Sequence, residues 1–135
     1  MPNKEIKTDI AKIQLYADNI IETIINDNEI IDPENVVEIK HFNKKLMNEK
    51  ECAVLINVGK GNTISKDAWY ASVNKNYDKK TIAKAIVVKN PIHYLLGEAY
   101  LRVNKTYVKT KFFKKRKNAL KWLEKKIKIN PKDYR

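Results

Sequence analysis

Two stretches of the chain have the character of strands buried on both faces. "CAVLINV", residues 52–58, and "TIAKAIVVK", residues 81–89, are apolar runs of strand length. The first gives way to Gly59 and Gly61, the second to Asn90-Pro91. A strand covered on one side alternates apolar with polar residues, whereas an unbroken apolar run needs cover on both. Helical spacing follows each run. The chain is therefore expected to alternate strand and helix around a largely parallel sheet with right-handed crossovers.

The remaining elements fit around that pair. In "AKIQLYADNIIETIIND" the runs 11–17 and 20–26 are separated by Asp18-Asn19, a two-residue turn between β-rich segments, which predicts an antiparallel hairpin. "IDPENVVEIKHFNKKLMNEK" starts as a helix should, with Asp32 as cap, Pro33 in the first turn and Glu34 at the positive end of the dipole. Val36, Ile39, Leu46 and either Phe42 or Val37 share one face of it. Ser65 is placed to cap a short helix, "KDAWYASV". "NPIHYLLGEAYLRVNK" again offers an Asn cap and a first-turn Pro, with Ile92, Leu95, Leu96, Ala99, Tyr100 and Val103 as its apolar stripe. "YVKTKFF" predicts a strand, and a helix from about 115 to 128 places Ala119, Trp122, Leu123 and Ile127 on one narrow face. The expected order is ββαβαβαβα: an α/β fold with a mixed, mostly parallel sheet and an N-terminal hairpin, forming a single domain over 11–135 after a lead-in of residues 1–10.

Composition narrows the function. Apolar residues make 43% and charged residues 33% of 135, as in a folded globular domain. No apolar run approaches the roughly 18 residues of a membrane span, and the first ten residues lack the apolar core of a secretory signal. Cys52 is the single cysteine, so no intramolecular disulfide can form and a reducing cytoplasm is the expected setting. Zinc sites built on cysteine pairs are excluded by the same count. The net charge of +12 is uneven: residues 1–70 hold 9 Lys/Arg against 12 Asp/Glu, and residues 71–135 hold 19 against 4. Such polarity favours anionic partners. Lysine outnumbers arginine 25 to 3, however, and arginine is the better reader of phosphates and bases. Binding to nucleic acid or another acidic surface through the C-terminal half is thus the alternative reading rather than the first.

Within "KTKFFKKRKNALKWLEKKIKINPK" most lysines fall on the outer face of an amphipathic helix. Lys114, Lys115, Arg116 and Lys117 instead crowd its N-terminal end, where the dipole is already positive. They are candidate anion ligands. Catalysis has no such candidate. His41 and His93 lack metal-ligand spacing, "NVGKGN" lacks the spacing of a phosphate loop, and no nucleophile motif occurs. No catalytic residue, metal or cofactor is expected.

In its order of elements, in "AVLINV" followed by a short loop and "ISKDAW", in "AIVVKNP" and in "FFKKRKNALKWL", the chain resembles the small bacterial STAS-like (SpoIIAA-like) proteins. These share the fold of sulfate transporters and anti-sigma-factor antagonists. The likeness spans about residues 11–128 and implies a regulatory or ligand-binding module without chemistry of its own. Its target would be a protein partner or a small anionic or lipophilic ligand. It also implies a contact and phospho-switch region at Asn57, Gly59, Lys60, Gly61, Ser65 and Lys66. Here Ser65 stands where the family pattern has an acidic residue and Lys66 where it has the phosphorylated serine, so capping is the role expected of Ser65. Asn57 and the basic start of the last helix are further departures from that pattern. The opening hairpin leaves an edge through which two copies could pair.

Overall fold

A computed structural model describes residues 5–73 and 79–128. The other residues of the domain expected over 11–135 lie outside those described. The elements are β1 (Glu5–Lys7), β2 (Ala11–Ala17), β3 (Ile20–Ile25), β4 (Ile30–Ile31), α1 (Pro33–Met47), β5 (Cys52–Asn57), β6 (Thr63–Ile64), α2 (Lys66–Ser72), β7 (Thr81–Val87), α3 (Pro91–Val103), β8 (Lys109–Phe113) and α4 (Arg116–Lys128).

Six strands form one sheet in the order β1-β2-β3-β5-β7-β8. β1, β2 and β3 pair antiparallel, and β3, β5, β7 and β8 run parallel. The two apolar runs lie side by side as β5 and β7, with Leu55 opposite Ala85 and Ile56 opposite Ile86. The hairpin turns at Asp18-Asn19 as its spacing predicts. Residues 5–7, within the expected lead-in, add β1 to the outside of this hairpin, and Ile6 is drawn partly under cover. β4 and β6 form a two-residue parallel pair that short apolar runs could not announce.

The sheet is covered unequally. On one face α4 lies over Ala53, Leu55, Ala83, Ala85 and Val87, contributing Ala119, Leu120 and Leu123, with no other helix there among the described residues. Alanines on both sides of that contact bring the helix backbone close to the sheet. Leu55 and Leu123 have no exposed surface, and full burial of such a side chain stabilises by about 1.5–3 kcal/mol. The other face carries α1, α2 and α3. Helix α1 begins with a reciprocal cap: the Asp32 carboxylate accepts from the Asn35 amide at 2.8 Å, and the Asn35 side chain accepts from the Asp32 amide at 3.0 Å. Its inner face uses Phe42, while Val37 is exposed.

Helix α3 departs from its expected orientation. Of the predicted stripe, Ile92, Leu95, Leu96 and Val103 are exposed, and the residue pressed to the sheet is Gly97. A Cβ at position 97 would stand 2.7 Å from the Phe112 ring. Without one, the helix backbone closes on Phe112, and this contact, rather than the branched side chains, sets the roll of α3.

Candidate functional site

The three-helix face does not close completely. Between α1, α2, α3 and strands β3, β5, β7 and β8 lies a cavity of about 540 Å3, within the range of about 300–1,000 Å3 typical of small-ligand sites. Its walls are mostly aliphatic and aromatic, with Ile25 and Ile56 from the sheet, Val36 and Ile39 from α1, and Leu101 from α3. Trp69 on α2 stands between α3 and the sheet, edge-on to Tyr100 at 4.8 Å and stacked over Phe112 at 6.3 Å.

Polar groups in this wall are few and specific. Among the described residues, three buried side-chain polar atoms have no hydrogen-bond partner: Thr23 Oγ1, Asn43 Oδ1 and Trp69 Nε1. All three residues line the cavity. A buried unsatisfied polar atom costs about 1–3 kcal/mol, and these three are covered by protein, with essentially no surface of their own open to the cavity. Two buried lysines converge here as well. Lys40 from α1 and Lys84 from β7 both donate to the Ser72 carbonyl, at 2.5 and 3.0 Å. The cavity thus has an apolar body, with two lysines tied to the end of α2 at one side.

The residues singled out in the sequence are divided by the structure. Ser65 caps α2, its Oγ accepting from the Ala68 amide at 3.1 Å. Gly61, at φ +74°, makes the turn that brings Asn62 inward. There Asn62 accepts from Gly59 N at 2.6 Å and donates to the Asn26 carbonyl at 2.8 Å. Asn62 and Thr63 reach the cavity wall, whereas Asn57, Gly59, Lys60, Gly61, Ser65 and Lys66 do not. The Lys60 amide donates to Asp27, and the Lys66 ammonium lies 6.0 Å from the centre of the Tyr70 ring.

The basic cluster is likewise split. Arg116 turns inward and forms a bidentate pair with Glu22 of β3, Nε to Oε2 at 2.7 Å and Nη2 to Oε1 at 2.9 Å. Glu22 also accepts from Asn57 at 2.7 Å and from Gln14 at 3.3 Å. Burial pushes the Glu22 carboxyl pKa up, but the bonds from Arg116 and Asn57 and the Arg116 charge outweigh it, and the net shift is downward. The Glu22 bond correspondingly raises the pKa of Arg116. One of the four cations at this helix start therefore has a buried counterion on the α4 side of the sheet, remote from the cavity face. Lys114, Lys115 and Lys117 are exposed, Lys114 lying 4.9 Å from the Tyr94 ring centre. Glu22 was missed in the sequence because one acid in a β-branched strand reads as an ordinary polar position. Its partner is 94 residues away.

Among the described residues no three of His, Cys, Asp and Glu converge as a metal site, and no helix is long and apolar enough to cross a membrane. The family described as "Domain of unknown function (DUF7793)" matches residues 13–127. No curated protein matches the chain. Among solved structures, an uncharacterized protein of the DUF3478 family from Shewanella loihica PV-4, described as having a SpoIIAA-like fold, is similar. Its TM-score is 0.54 and its identity 13%, over 90% of this chain and 92% of that one. The similarity establishes a SpoIIAA-like fold for the present chain.

Proposed function

The chain belongs to the DUF7793 family, and from that premise we propose that it is a non-catalytic binding module. Its ligand is a small amphiphile held in the cavity between the three helices and the sheet. The observation that carries this reading is the largely apolar cavity of about 540 Å3 walled by the three helices and the sheet. An apolar ligand body would replace water against Ile25, Ile56 and Leu101. Regulation, on this view, follows from whether the cavity is filled, because α2 and α3 both contribute to its wall.

The test is a titration with anilinonaphthalene sulfonate and with saturated fatty acids of increasing length, followed by Trp fluorescence and thermal shift. Saturable binding of one molecule per chain is expected. The substitutions Ile86→Trp in β7 and Val58→Trp just beyond β5, which fill the space from two different places, should abolish it in protein that still melts cooperatively. Absence of saturable binding across the series, or binding that both substitutions leave intact, would overturn the proposal.

A further inference from the structure

Helix α3 is apolar on two opposite sides, and only one of them is used. At about 3.6 residues per turn, Tyr94, Gly97 and Leu101 fall on the side facing Phe112 and the sheet. Ile92, Leu95, Leu96, Ala99 and Val103 fall on the other. Those outward residues are open to solvent: Ile92 is 67% exposed, Leu95 61%, Leu96 63% and Val103 80%. Single exposed aliphatics are ordinary, but a continuous row along a helix is the mark of an interaction surface.

Its surroundings are cationic. Between Lys89 and Lys114 the chain carries six Lys/Arg and a single acid, Glu98. Lys89 precedes the helix, Arg102 and Lys105 stand at its far end, and all three are exposed. Glu98 is turned aside, sharing a surface recess with Leu101, Arg102, Lys109 and Lys111 next to the edge strand β8. Arg102 shares that recess with Glu98, so the row presents aliphatic side chains with Lys89 at one end and Lys105 at the other.

We infer that the outer face of α3 docks on an anionic lipid surface, the helix lying in the interface plane with its aliphatic row among the acyl chains and its cations at the headgroups. Three observations favour this occupant. The row offers no side-chain donor or acceptor, whereas protein interfaces carry about one hydrogen bond per 100–200 Å2. It also lacks the Trp or Tyr anchors on which protein binding energy concentrates. A second copy of the chain would bring Lys89, Arg102 and Lys105 against their own counterparts, a like-charge encounter that costs affinity. A bilayer rich in anionic lipid reverses that sign, and lysine and arginine stems lie along apolar surface while their heads reach phosphate. Of the row only Leu96 borders the cavity, while Ile92, Leu95, Ala99 and Val103 lie outside its wall, so the inference does not require the cavity to bind anything.

Co-sedimentation with vesicles tests it, using the purified chain, phosphatidylcholine alone, and phosphatidylcholine with about 30 mol% phosphatidylglycerol at about 50 mM salt. The chain should pellet with the anionic vesicles and stay in solution with the neutral ones. Ile92→Gln with Leu95→Gln, on exposed positions outside the cavity wall, should weaken this partition about tenfold or more while the melting temperature holds. Lys89→Glu with Lys105→Glu should do the same by reversing charge. The inference is overturned if the wild-type chain ignores anionic vesicles, or if both pairs of substitutions leave binding intact, which would assign it to lysines elsewhere. It is equally overturned if light scattering shows a dimer that Ile92→Gln with Leu95→Gln dissolves, since the row would then be covered by a second copy.

Discussion

Replacing Arg116 by alanine removes the guanidinium that answers the buried Glu22 carboxylate. Glu22 keeps Asn57 and Gln14 but loses two charge-assisted hydrogen bonds at 2.7 and 2.9 Å. Each such bond is worth about 1.5–3 kcal/mol when buried. The two ends of this pair differ in exposure, Glu22 at 2% and Arg116 at 45% of their side-chain surfaces. Solvent therefore screens the arginine end, and water can partly take its place. A loss of about 2–3 kcal/mol follows, or about 8–12 °C in melting temperature for a chain of this size. The pH dependence separates this cause from simple loss of packing. In the wild-type protein the folded pKa of Glu22 lies below its unfolded value. The stabilisation is therefore complete above the unfolded pKa, about 4.3, and is lost as pH falls through the folded value. In the variant the Arg116 bonds and charge no longer oppose burial, and the folded pKa moves upward. The penalty is then full at neutral pH and shrinks as the carboxyl takes a proton. Urea unfolding followed by Trp fluorescence should show the wild-type advantage at pH 7 narrowing towards pH 4. A difference under about 0.5 kcal/mol at pH 7, or one that is equal at both pH values, would refute the reasoning. In a Glu22→Gln background the same Arg116→Ala change should cost less than about 1 kcal/mol, which a double-mutant cycle measures.

Three further outcomes follow from the packing. Gly97→Ala places a methyl 2.7 Å from the Phe112 ring, and should cost about 1–3 kcal/mol and alter Trp69 fluorescence as α3 lifts. Ser65→Ala removes the α2 cap and should cost about 1 kcal/mol by thermal melts, with Ser65→Asp restoring most of it. Cys52 is buried and its thiol pKa is raised by that burial against the opposing charge of Lys50, so alkylation by iodoacetamide at pH 8 should wait for unfolding and accelerate with added urea.

The parts of the fold legible in the sequence are those whose cause is local. Asp32 and Pro33 announce α1, Asp18-Asn19 announces the hairpin, and the apolar runs announce β5 and β7, because capping, turn geometry and two-sided burial each leave a mark within a few residues. Helix α3 was legible as a helix but not in its roll. Spacing counted Ile92, Leu95, Leu96 and Val103 as an inward face, while the contact that decides the matter is a missing side chain at Gly97 against a ring 15 positions later. The cavity leaves no sequence pattern, since it is made where side chains from nine elements stop short of one another. Lys40 looked like the polar side of α1 and Lys84 like an interruption of a strand. Only their shared acceptor at Ser72 shows what they have in common. Ser65 alone among the family-derived positions could be read correctly as a cap, because a helix start follows it at once.

The distance along the chain between Glu22 and Arg116 has a consequence for how the protein is made. A polypeptide still on the ribosome has β3 and its acid long before Arg116 emerges, so the nascent sheet contains a carboxylate that nothing yet neutralises. The early chain is better served by leaving β3 open to water than by closing around it. Release of the final helix then supplies both the lid for the alanine-lined face and the charge that lets Glu22 go under it. Fragments ending before residue 116 should accordingly remain loosely collapsed, and addition of the last helix should convert them to a cooperative fold.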